Sequence, residues 1–236
     1  MITITHFEQL GAFKNDWLDA HFHFSFSNYQ DPERMGLGAL RVWNDDVISP
    51  HKGFEPHGHR DMEIITYVRK GAITHEDNLG NRGKTQAGDV QVMSAGSGIV
   101  HSEKNEEDED TVLFQIWIET DQSNHQPRWD AGVFPKDPVE GALQVLASGR
   151  DDDEGALMIH QDAAVLGGRI RAGRSVTHTI APGRAAYMVV SEGAVEINGQ
   201  TVPTRGGSAI INEEEVTISA VDDEAEVVLV DVPLEI

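Results

Sequence analysis

Two histidines, His57 and His59, stand two residues apart in PHGHRDME (residues 56–63), directly after a proline. In an extended segment, residues i and i+2 share a face, so both imidazoles can address one ion. A second pair with the same spacing, His101 and Glu103, follows in GSGIVHSEKN (96–105). Three imidazoles and one carboxylate brought together by two strands suit a divalent Fe, Mn, Ni, Cu or Zn ion. Four protein ligands leave a six-coordinate ion one or two positions open for substrate, water or oxygen. On its own, HGH reads more often as a polar turn than as a ligand pair. The second pair, delivered by a glycine-rich approach, tips the reading toward one metal per chain.

Other chemistry-bearing residues have plainer readings. Glu63 is the rival carboxylate ligand, and a strand residue behind the site or in solvent is the reading preferred for it. His75, in THEDN, either lines a pocket from a neighbouring strand or sits at a hairpin end. His21 and His23, in HFHFSF, share a face but lack a carboxylate partner, and read as the polar side of a strand. SAGSG (94–98) has no following Lys-Ser/Thr pair or helix to cradle a phosphate, and reads as a tight turn before His101. EEDED (106–110) and DDDEG (151–155) lack alternating calcium-ligand spacing and read as solvated turns.

The elements that must position these residues are short apolar or β-branched runs separated by Gly, Asn and Asp. EIITYVRKG (63–71) and TVLFQIWIET (111–120) read as strands, and NDD (44–46) reads as a turn after ALRVW. The polar stretch DQSNHQPRWDAGVFPKDP, from residue 121, reads as an interdomain connection. Beyond it, VVSEGAVEINGQ (189–200) mirrors YVRKGAITHEDNLG (67–80). That repetition predicts an all-β chain of two similar barrels in tandem with few short helices. The domains are residues 1–130, carrying the metal, and 131–236, whose corresponding positions hold no ligand pair. ITHFEQLGAF is a faint helix candidate.

The 236 residues include 18 Lys plus Arg against 40 Asp plus Glu, a formal charge of −22. That balance argues against nucleic acid or an anionic membrane as partner. With no cysteine, a metal must be held by imidazole and carboxylate. The N-terminus lacks the basic start and apolar run of a signal peptide, and no uninterrupted apolar run is long enough to span a membrane. A cytoplasmic location is expected.

The segment from Gly53 through His57, His59 and Glu63 to Gly71 looks like the first cupin motif, and Gly88 to Asn105 like the second. More narrowly, GFEPHGHRDMEIITYVRKGAITHEDNLGN with GDVQVMSAGSGIVHSE resembles the pirin family of bicupins, and among them the bacterial pirin-like proteins described as quercetin 2,3-dioxygenases. The likeness runs through HFHFSFSNYQDP, LRVWNDDVISP and FQIWIET, covering residues 16–120. It is weaker beyond, where GALMIHQD and VEINGQ are the landmarks. Ser94 stands where many cupins have proline, a departure shared with pirin-like proteins. The resemblance implies two cupin-type barrels and one divalent ion, Fe(II) in first place with Zn, Mn, Ni or Cu as alternatives, on His57, His59, His101 and Glu103. It also implies a dioxygenase that cleaves flavonols such as quercetin with O2, Glu103 being the base. Phe54, Met62, Met93 and Val100 are the expected walls for a flat aromatic substrate. The alternative is a non-enzymatic, metal-containing regulator that binds a protein partner. A monomer is expected in either case.

Overall fold

The structure, a computed structural model, describes residues 1–221 and 223–235. Strands make up its regular structure, and the one helical element among the described residues is the 3-10 turn Phe7–Gln9. That turn is what becomes of the faint helix signal, since strands Ile2–Thr5 and Gly11–Lys14 close on it from both sides.

The strands form two barrels, each of a seven-stranded and a four-stranded sheet. The large sheet of the first half runs, edge to edge, Arg128–Gly132, Val90–Ser94, Met62–Lys70, Thr111–Glu119, Leu40–Ile48, Leu18–Phe22 and Gly11–Lys14. Its small sheet runs Gly53–His59, Ile99–Lys104, Ala72–Asp77 and Arg82–Gln86. In the second half the central large-sheet order is Gly207–Ile211, Arg184–Glu192, Glu224–Pro233, Ala164–Arg171 and Gln144–Ser148. The small sheet there runs Ser175–Thr179, Glu215–Ala220, Val195–Ile197 and Gln200–Val202. The connection order is the same in both halves, as the mirrored hairpins predict. Both hairpins turn on a left-handed glycine, Gly71 at φ 72° and Gly193 at φ 73°, a conformation that a side chain would strain.

The chain does not divide cleanly after residue 130. The connector contributes strand Arg128–Gly132 to the first barrel, pairing with Val90–Ser94. The N-terminal strand Ile2–Thr5 instead crosses to the second barrel and pairs with Gly207–Ile211. NDD is likewise no turn: Asn44, Asp45 and Asp46 are buried inside strand Leu40–Ile48.

Period-two alternation sorts each large sheet into two faces. Along Arg184–Glu192, Ala185, Tyr187 and Val189 meet the first barrel, in a shared core with Trp43, Ile65 and Phe114. Ala186, Met188 and Val190 point the other way, into an interior that Ile170, Val216 and Leu229 help to fill. The first barrel keeps the same interface face but differs inside. Asn44, Asp46, Gln115 and Glu103 take interior positions there and line a cavity of about 300 Å3. One barrel is packed solid with hydrocarbon, and the other is hollow and polar at its floor.

Candidate metal centre

The strands Gly53–His59 and Ile99–Lys104 pair antiparallel with His57 directly opposite His101. Register and the two-residue period together bring three imidazoles to one point. Ring centroids lie 4.5 Å apart for His57 and His101, 4.8 Å for His57 and His59, and 5.0 Å for His59 and His101. One ligand nitrogen from each falls within 4.8 Å of the other two.

Hydrogen bonds set the tautomers. His57 Nδ1 lies 2.8 Å from the Glu55 carbonyl oxygen, which can only accept, so Nδ1 carries the proton and Nε2 the lone pair. Behind His101, the Asp77 carboxylate lies 2.9 Å from His75 Nε2, and His75 Nδ1 lies 3.4 Å from His101 Nδ1. With the proton on His75 Nε2, neutral His75 accepts from His101 Nδ1–H, and His101 Nε2 is left bare. That atom is buried without a hydrogen-bond partner among the described residues. A buried imidazole nitrogen with a free lone pair, oriented by a carboxylate–histidine chain, is the arrangement in which histidine binds metal. Desolvation, with a neighbouring His57, lowers the pKa of His59 to about 4. Desolvation followed by the His57 and His59 charges lowers that of His101 to about 2. Both rings are therefore neutral and ligand-ready at pH 7 without having to shed a proton. The donor set fits a divalent ion.

Glu103 does not belong to this close cluster. It follows His101 on the same buried face of its strand, past a β-bulge, and its carboxylate is held from behind. Gln91 Nε2 donates to Oε1 at 2.7 Å, Gln115 Nε2 to Oε2 at 2.6 Å, and Thr66 Oγ1 to Oε1 at 3.2 Å. Both amides are oriented for this. Gln91 Oε1 accepts from Thr85 at 3.0 Å, and Gln115 Oε1 from Trp117 Nε1 at 3.2 Å. Burial raises the Glu103 pKa, and the nearby His75 ring and the hydrogen bonds from Gln115 and Thr66 counter part of the rise.

The rival carboxylate has other work. Glu63 is fully buried, accepts from Ser94 Oγ at 2.7 Å and lies 3.2 Å from Nδ1 of His160, a second-barrel residue. It clasps the two barrels together. His75 is neither pocket wall nor surface. It is buried between His101 and Trp129, whose ring it stacks on at 4.9 Å and 11°. His23 is not on a solvated strand face either: it is fully buried, 2.9 Å from the Tyr187 hydroxyl across the interface. The strand ends at Phe22, so the alternation in HFHFSF continues into an interbarrel segment.

Of the four expected wall residues, only Phe54 lines the cavity. Val100 alternates with His101 and so faces out, 43% exposed. Met62 and Met93 pack instead with Ile64 and Ile99 in a separate cluster. The walls come from Phe13, Leu18, Phe22, Phe26 and Trp117, mostly from the first strands of the chain. Gln115 and Trp117 were visible in TVLFQIWIET as the residues breaking and flanking an apolar run, and Asn44 and Asp46 were hidden by their turn-like composition. An apolar cavity with a few convergent polar groups is a small-molecule site, here opening on three clustered imidazoles.

Comparison with known proteins agrees with this geometry. Residues 4–118 match the family model described as Pirin. Residues 145–232 match that of the quercetinase C-terminal cupin domain. A pirin-like protein of Caulobacter vibrioides is 53% identical over 98% of this chain and 99% of its own length. A protein of Escherichia coli strain K12 named quercetin 2,3-dioxygenase is 41% identical over 99% of both chains. The crystal structure of the Escherichia coli bacterial pirin YhhW in complex with nickel(II) superposes with a TM-score of 0.91 at 40% identity, covering 99% of each chain. With its double barrel, its single hollow half and relatives matching along nearly the whole chain, this protein belongs to the pirin family of bicupins.

Proposed function

We propose that this pirin is a metal-dependent dioxygenase that cleaves flavonols such as quercetin. The observation that carries the reading is the buried His57–His59–His101 cluster, with His101 Nε2 unpartnered, opening into an apolar cavity of about 300 Å3. The names of the Escherichia coli relative and of the C-terminal family model support the substrate class. The nickel(II) complex of the relative supports a divalent ion. His57, His59 and His101 hold the ion, with Glu103 as fourth ligand, and Fe(II) is the ion we favour for oxygen chemistry. A bound divalent ion supplies Lewis acidity toward the substrate's adjacent hydroxyl and carbonyl oxygens.

The chain's own residues do the rest. Phe22, Phe54 and Trp117 line the cavity and give a flat aromatic ring an apolar surface that keeps water from it. Glu103 takes the substrate hydroxyl proton. A carboxylate raised by burial is closer in pKa to an acidified hydroxyl, which makes the transfer efficient. Gln91 and Gln115 hold that carboxylate in place and stabilise its charged form. The test is oxygen uptake by protein loaded with Fe(II) under anaerobic conditions and then offered quercetin and air. Uptake coupled to loss of quercetin absorbance, and abolished in Glu103→Ala, is expected. No oxygen uptake with any flavonol contradicts the reading.

A further inference from the structure

The floor of the hollow barrel holds two groups that the metal chemistry does not use. Asn44 and Asp46 stand two residues apart on Leu40–Ile48, 4% and 3% exposed, and both line the cavity. The Oδ1 atoms of both are buried, with no hydrogen-bond partner among the described residues. Burying an unsatisfied polar atom destabilises a fold. The fold does supply partners on the opposite face of this very strand. Asp45, lying between them, receives Arg69 at 2.9 Å and Arg205 at 2.7 Å. The second barrel fills its interior mostly with Val, Ile, Leu and Ala, and its own orphaned Ser208 Oγ does not line this cavity, whereas Asn44 and Asp46 do. Two orphaned polar groups retained on an interior face are therefore a site awaiting donors from outside the chain.

Their placement says what those donors look like. Two residues along a strand separate the side chains by about 6.6 Å, too far to share one hydroxyl comfortably but suited to two hydroxyls on an aromatic framework. Gln115 lies opposite Asn44 in the strand register, and its amide holds Glu103. A polar track thus runs from Asp46 through Asn44 and Gln115 to Glu103, within a cavity whose walls are mainly aromatic and aliphatic.

We propose that Asn44 and Asp46 form a hydroxyl-reading subsite that selects polyhydroxylated aromatic substrates over those carrying only the metal-chelating oxygen pair. This deepens the flavonol reading above and rests on it. The subsite sets substrate preference, whereas the histidines and Glu103 set reactivity.

The test uses nickel(II)-loaded protein without oxygen, titrated by calorimetry with quercetin and with 3-hydroxyflavone, which lacks every hydroxyl but the chelating one. The native protein is expected to prefer quercetin by roughly tenfold or more, the scale of one to two hydrogen bonds. D46A and N44A each bring that ratio toward one, and D46N, which keeps a hydrogen-bonding side chain, retains most of it. Because neither Oδ1 has a protein partner, ligand-free D46A should melt no lower than the native protein. Equal native affinity for both flavonols, or a preference that survives in the D46A/N44A double variant, overturns the subsite and leaves the flavonol reading standing. Binding of neither flavonol overturns that reading and the subsite with it. A fall of many degrees in the melting temperature of ligand-free D46A assigns Asp46 a structural role and also overturns the proposal.

Discussion

Replacing His101 by glutamine should remove a defined part of the acid sensitivity of the metal-free protein. Burial holds the His101 pKa at about 2 in the fold, against an ordinary value of 6.5. The unfolded chain therefore binds a proton that the folded chain refuses. This ring's contribution is in full above pH 6.5 and is lost as pH falls from there toward the folded value. At pH 5 the loss is set by the unfolded pKa alone: about 1.5 pH units at 1.36 kcal/mol each, or about 2 kcal/mol. It does not depend on the folded pKa so long as that lies below 5. His59, lowered to about 4 by burial and by His57, adds a similar loss, discounted to about 1 kcal/mol for its partial exposure. His101 is not among the groups that lower His59, so the His59 share persists in H101Q. Urea unfolding of chelator-treated protein at pH 7 and pH 5 reads both. H101Q should lose about 2 kcal/mol less between the two than the native protein does. Equal losses in the two proteins would refute the placement of His101 as a buried neutral ring.

Three further perturbations test the frame around the site. Glu63→Ala leaves Ser94 and His160 without their buried acceptor and should cost about 2–3 kcal/mol, read by urea unfolding, with no change in metal stoichiometry. Gly83→Ala places a Cβ against the Trp129 ring, the ring on which His75 stacks. Metal affinity, measured by competition with a chelator, should fall severalfold or more as the Asp77–His75–His101 chain shifts. Deleting residues 1–5 strips Ile2 and Ile4 from the second barrel's core and bares the edge of Gly207–Ile211. A lower melting temperature and self-association in sedimentation are expected.

The site was legible because its spacing is geometric. HGH and HSE carry the strand period in the sequence itself, and the antiparallel register only had to set His57 against His101. The hairpin duplication was legible for the same local reason, as Gly71 and Gly193 impose the same turn. Long-range pairing left no such mark. Nothing in ITIT says that it will join a strand beginning at residue 207, and nothing in the sequence around Phe13 and Phe22 says that they will wall a cavity over His57. Polar residues were the main source of error. Asn44, Asp45 and Asp46 read as a turn because three such residues in a row rarely tolerate burial. The structure buries them because Asp45 meets Arg69 of its own barrel and Arg205 of the second, while Asn44 and Asp46 face the cavity. Glu63 was misplaced in the same way, being a buried polar group whose partner His160 comes from far along the chain, and His75 because the rings that bury it, His101 and Trp129, are distant in sequence.

The central claim is that His57, His59 and His101 hold one divalent ion in the hollow barrel. Metal content of native protein, H57A and H101A, each loaded with nickel(II) and then desalted, tests it most directly, with circular dichroism confirming that all three keep their β structure. One ion per native chain and none in either folded variant is the result predicted here. An ion retained at full occupancy in folded H101A would contradict it.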